Sequence, residues 1–101
     1  MQVFDLKAMV SHPYEERDKN VFYKANKFKA RIIELQPGAE MPTCEMGSYV
    51  LFYVIEGRVE VKVNQRKATI KEGQCLITKP AILLMKTDNG VKMMGLQIAK
   101  S

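Results

Sequence analysis

Apolar and polar residues alternate along much of this chain, most cleanly from Arg58 to Val63. Val59, Val61 and Val63 fall on one side of an extended strand, and Arg58, Glu60 and Lys62 on the other. Lys67 to Lys71 repeats the pattern, with Ala68 and Ile70 expected inside. Tyr49 to Ile55, YVLFYVI, is apolar, β-branched and aromatic and predicts the central strand. Further strands are expected at Val3 to Val10, Val21 to Tyr23, Phe28 to Gln36, Cys75 to Thr78, Ala81 to Thr87 and Val91 to Ala99. Pro37-Gly38, Glu56-Gly57, Asn64-Gln65 and Glu72-Gly73 read as turns between them, and Pro80 as a strand stop. Asn89-Gly90 is a hairpin signal. Ser11 to Asn20, SHPYEERDKN, predicts a loop or a short helical turn. No long segment carries a capped helical period. Short strands broken by regular turns predict an all-β sandwich or barrel. With no repeat, linker or low-complexity tract, residues 1–101 form one expected domain.

Composition narrows the classes. A chain of 101 residues has the size of one domain, and 47% hydrophobic content excludes a disordered one. No apolar run of about 18 residues is present, so no helical membrane span is expected. MQVFDLKAMV lacks a basic region leading an apolar core, so no secretion signal is expected either. A cytoplasmic location follows as the expectation, with Cys44 and Cys75 as free thiols. The net charge of +5 raises the possibility of nucleic acid. The basic residues, however, spread from Lys7 to Lys100 and are interrupted by acids. Lys24, Lys27, Lys29 and Arg31 are the densest set, and the last three share a strand face that reads as solvated. No helix-turn-helix or zinc-finger pattern accompanies it, so nucleic acid is not an expected partner.

The stretch with chemistry in it is Pro37 to Gly57, PGAEMPTCEMGSYVLFYVIEG. On an extended strand Cys44, Met46, Ser48, Val50, Phe52 and Val54 share one face; Glu45, Tyr49, Leu51, Tyr53 and Ile55 share the other. The single histidine, His12, is far away in sequence beside Pro13 and is expected at the surface. The order of turns and strands from Pro37-Gly38 through Glu56-Gly57 and Glu72-Gly73 to Pro80 resembles the small single-domain cupins. That resemblance implies a double-stranded β-helix, a jelly-roll barrel, over about residues 28–99, with residues 1–27 as N-terminal strands and loop. The family's first motif runs from a glycine through two histidines and a glutamate to a second glycine. Laid from Gly38 to Gly57, it puts Cys44 and Met46 at the histidine positions and Val50 at the glutamate. In the second motif Pro80 and Asn89 match, while Ile82 replaces the glycine and Met85 the histidine. The lead-in from Gly73 to Pro80 is one residue longer than the family's usual spacing.

The resemblance thus points Cys44, Met46, Val50 and Met85 into the barrel while replacing all four metal ligands. Manganese, iron and zinc favour imidazole and carboxylate, and valine ligates nothing. Cys44, Met46, Ser48, Val50, Phe52 and Met85 are the expected interior lining. Sulfur and valine can fill such a barrel as core. They can equally wall a dry pocket for an apolar or aromatic small molecule, with Ser48, Tyr49, Thr87 and Gln97 as polar contacts. Cys44, Met46 and Met85 also form a soft-ligand set for Cu(I), which Met41, Cys75 or Met93 would complete. No catalytic residue is expected, since a Cys44 nucleophile needs a base or cation close by. The expected role is a non-enzymatic small-molecule-binding or regulatory module; the alternative is a metal-dependent cupin enzyme of isomerase or dioxygenase type. Tyr49, Leu51, Tyr53 and Ile55 are too apolar to face water as a group, so the N-terminal segment or a second copy should cover them. The family resemblance favours the second copy, a homodimer.

Overall fold

A computed structural model describes residues 1–99; Lys100, the last of the basic residues, lies outside the described residues. Among the described residues, eight strands follow a short 3-10 helix at Tyr14–Asn20. They are β1 Val21–Lys24, β2 Phe28–Leu35, β3 Glu40–Met46, β4 Tyr49–Val63, β5 Arg66–Lys71, β6 Cys75–Thr78, β7 Ala81–Lys86 and β8 Val91–Ile98. All pairings are antiparallel. One sheet runs β1-β2-β8-β4-β6 and the other β5-β4-β7-β3, so β4 belongs to both. This is a curled jelly roll, as expected.

The shared strand corrects one expectation. Tyr49 to Ile55 and Arg58 to Val63 are not two strands but one of 15 residues. Glu56-Gly57 bends the strand without reversing it. A register shift falls between Val54 and Glu56, Gly57 has φ +87°, and pairing with β8 resumes at Glu56–Lys92 and Gly57–Val91. The bend turns the first half of β4 toward β6 and β8 and the second half toward β5 and β7. Ile55, at the bulge, is buried rather than outward.

Three other expectations change. Val3 to Val10 forms no strand; Asp5 and Leu6 carbonyls accept from Ala8 and Met9 in a turn. That segment is held by side chains instead. The buried Lys92 donates from Nζ to the carbonyls of Lys7 and Met9, both at 2.6 Å, and Phe4 packs on Phe22 at 4.9 Å between ring centres. Asn89-Gly90 makes no hairpin, because β7 pairs with β3 and β4 while β8 pairs with β2 and β4. The turn carries the chain from one sheet to the other. Ala68 stands opposite Val61 but is exposed on the edge strand β5, while Ile70 is buried.

One strand was not anticipated. β3 pairs with β7 through Met41–Met85, Cys44–Leu83 and Met46–Ala81, with a register shift between Met41 and Cys44. Pro42, which has no N–H to donate, falls in that shift. The core lies between the sheets: Ile33, Val50, Phe52, Val54, Val59, Val61, Ile70, Leu83, Met85, Val91 and Met93 pack together there. No helix among the described residues is long and apolar enough to cross a membrane.

Candidate functional site

Strands β2 and β3 share no ladder, and a cavity of about 680 Å³ opens between them into the barrel. Side chains from five strands line it, with Ile32, Glu34, Glu45 and Leu96 of the opposite parity at its border. Ile33 and Leu35 enter from β2, Met41, Cys44 and Met46 from β3, Val50 and Phe52 from β4, Leu83 and Met85 from β7, and Gly95 and Gln97 from β8. His12, Tyr14 and Arg17 of the N-terminal segment stand at the mouth. His12 is exposed, as expected; its backbone is tied to the Asn20 amide, N–H to Oδ1 at 2.7 Å and Nδ2 to carbonyl at 3.2 Å. The Arg17 guanidinium lies 4.2 Å from the centre of the Tyr14 ring.

Of the six residues expected to line the interior, Cys44, Met46, Val50, Phe52 and Met85 meet at this cavity. Ser48 stands apart, between β3 and β4, half-buried, with a hydroxyl that has no hydrogen-bond partner among the described residues. The other polar candidates divide. Gln97 lines the cavity. Tyr49 is exposed on the opposite face of β4. Thr87 is structural: its Oγ1 donates to the Arg58 carbonyl at 2.7 Å and accepts from the Gly90 N–H at 3.0 Å.

Sulfur is concentrated on one wall. Cys44 Sγ lies 3.5 Å from Met46 Sδ, and Met41 stands opposite Met85 across the β3–β7 ladder. Of the residues expected to complete a soft site, Met41 lines the cavity, Met93 is buried outside its lining, and Cys75 is exposed on β6. Both cysteines are free. Among the described residues no three His, Cys, Asp or Glu side chains come together in a form that holds a metal ion.

The face of Lys27, Lys29 and Arg31 is only partly solvated: Lys27 is exposed as expected, while Lys29 and Arg31 are half-buried and line the cavity. Arg31 stands opposite Gly95, and a β-carbon there would meet Ile33 Cδ1 at 3.0 Å, Phe52 Cε1 at 3.4 Å and Arg31 Cγ at 3.5 Å. The stem of Arg31 therefore lies on the interior side with Ile33 and Phe52. Lys29 and Arg31 share a face with Ile33 and Leu35 by spacing, but Ala30 and Ile32 on the other face of β2 are buried as well, so the local pattern alone does not choose the inward face.

A comparison with models of known protein families finds no match, and neither does one with curated protein sequences. Solved structures do match. The cupin domain of Schizosaccharomyces pombe Cnp3 aligns with a TM-score of 0.71 at 21% identity, over 79% of this chain and 61% of that one. The Thermus thermophilus protein TT1209 aligns at 0.82 and 18% identity over the whole of both chains. Salicylate 1,2-dioxygenase from Pseudoaminobacter salicylatoxidans aligns at 0.68 and 15% identity, over 71% of this chain and 20% of that one. The chain has the cupin fold, a likeness of architecture at these identities.

Proposed function

We propose that this chain is a small-molecule-binding or regulatory module without enzymatic activity, and that its barrel takes an apolar or aromatic compound. The observation that carries the reading is the cavity itself. At about 680 Å³ it has the size of a ligand pocket, and Val50, Phe52, Leu83 and Met85 give it apolar walls. The positions where the cupin resemblance expects metal ligands carry Cys44, Met46, Val50 and Met85, so the wall offers contact surface rather than hard-metal donors. We further propose a cytoplasmic protein, where two free thiols persist, and a homodimer. What supports the dimer is an apolar outer face on the first sheet. Tyr49, Tyr53, Ile77 and Ile98 are exposed there; Tyr49 stands opposite Ile98, and Ile77 opposite Leu51 between the two tyrosines.

The test is a fluorescence titration with N-phenyl-1-naphthylamine, beside elemental analysis of the purified protein. The reading expects saturable binding that Met46→Trp, which fills the cavity, removes without loss of the folded state. It is overturned by an absence of binding, or by iron, manganese or zinc bound stoichiometrically. The latter result would favour an enzyme of the dioxygenase kind.

The sulfur wall favours a second reading, a Cu(I) site. A thiolate and thioethers suit a soft monovalent ion, and the 3.5 Å approach of Cys44 Sγ to Met46 Sδ puts two such donors side by side.

A further inference from the structure

We infer that the ligand of this cavity is an anion, an apolar body ending in a single carboxylate, and that Lys29 and Arg31 receive its head. The inference rests on the cavity being a ligand site and adds the chemistry of what enters it.

Cross-strand register sets the geometry. Lys29 stands opposite Gln97, which stands opposite Val50; Arg31 stands opposite Gly95, which stands opposite Phe52. Two adjacent rows thus run from a cation on β2 to an apolar floor on β4. Along β2 the same face continues from Lys29 and Arg31 into Ile33 and Leu35, so this wall of the cavity passes from cationic to apolar. Gly95 leaves the space between Arg31 and Phe52 without a side chain, and the Gln97 amide brings a hydrogen-bond donor beside Lys29.

Neither cation is neutralised from within. The ion pairs among the described residues are Lys19–Glu16, Lys67–Glu60 and Lys86–Glu60, and neither Lys29 nor Arg31 makes a side-chain hydrogen bond there. The carboxylates bordering the cavity are Glu34 and Glu45, both exposed. Glu34 already accepts from Ser11 Oγ at 3.1 Å. Two half-buried like charges on one face repel each other, and a carboxylate between them relieves that repulsion while accepting charge-assisted hydrogen bonds. Arginine presents the planar fork that matches a carboxylate.

The experiment is isothermal titration with an isosteric pair, naphthalene-2-carboxylate and naphthalene-2-carboxamide, on the full chain. The acid is expected to bind at least about tenfold more tightly than the amide, as a charge-assisted hydrogen bond requires. Arg31→Met with Lys29→Met should abolish that preference and leave the amide's affinity within about twofold, with the melting curve confirming the fold. Arg31→Lys should keep part of it. Equal affinities for acid and amide overturn the inference while leaving the cavity as an apolar site. Binding of neither at millimolar concentration overturns both.

Discussion

The carbonyl oxygen of Gly90 occupies the space that a β-carbon on residue 57 would need. Gly57 is also held at φ +87°, where L side chains are strained. These two glycines meet where β4 bends between the sheets and the β7–β8 turn crosses over it. Gly57→Ala should therefore cost about 2 kcal/mol or more, from strain plus a backbone clash that no side-chain movement relieves. Gly38→Ala is the control: φ is +80°, but no atom lies near the added carbon. It should cost about 1 kcal/mol, and thermal melts of the two variants will separate clash from strain. Equal losses would mean that the Gly90 carbonyl moves aside freely.

Lys92 fastens the N-terminal segment. Its ammonium is buried and donates to the carbonyls of Lys7 and Met9. Lys92→Met keeps the stem and removes both bonds, at an expected cost of about 1–3 kcal/mol. Backbone amides before residue 10 should exchange faster with deuterium. Unchanged protection there would show that the packing of Phe4 on Phe22 and Tyr23 holds the segment without Lys92.

The proposed dimer predicts a molecule of twice the chain mass in sedimentation at micromolar concentration. Ile77 is 65% exposed on the outer face of the first sheet, opposite Leu51. Ile77→Glu places a charge in that face and should yield monomer without a lower unfolding temperature of the isolated chain. A wild-type monomer would remove the prediction.

The Cu(I) reading predicts about one equivalent bound under anaerobic conditions, as one thiolate–thioether set allows. Cys44→Ser should abolish binding against a chelating competitor. Cys75→Ser, exposed on β6 and outside the cavity lining, should leave it unchanged. Loss in the second variant and not the first would place copper elsewhere.

Much of the barrel was legible in the residues because each turn and each alternation is a local property. Arg58 to Val63 and Lys67 to Lys71 announce strands by period, and Pro37-Gly38 and Glu72-Gly73 announce the reversals between strands. Parity put Cys44, Met46, Val50 and Phe52 on one shared face, and the cupin resemblance pointed that face inward. Glu56-Gly57 misled because a bend within a strand and a turn between strands use the same residues; only the partners β8 and β5 distinguish them.

The sequence by itself determined the all-β class, most strand positions and which side chains share a face. The tertiary structure decided which face is inside and what stands across from it. Lys29 and Arg31 look like solvent-facing charge in a local window, since polarity along one strand says nothing about the opposing β4 and β8. Folding sets them in register with Val50 and Phe52 across β8 and leaves an opening between β2 and β3. Long-range pairing creates that opening, and pairing between distant strands depends on register and closure that no local pattern encodes.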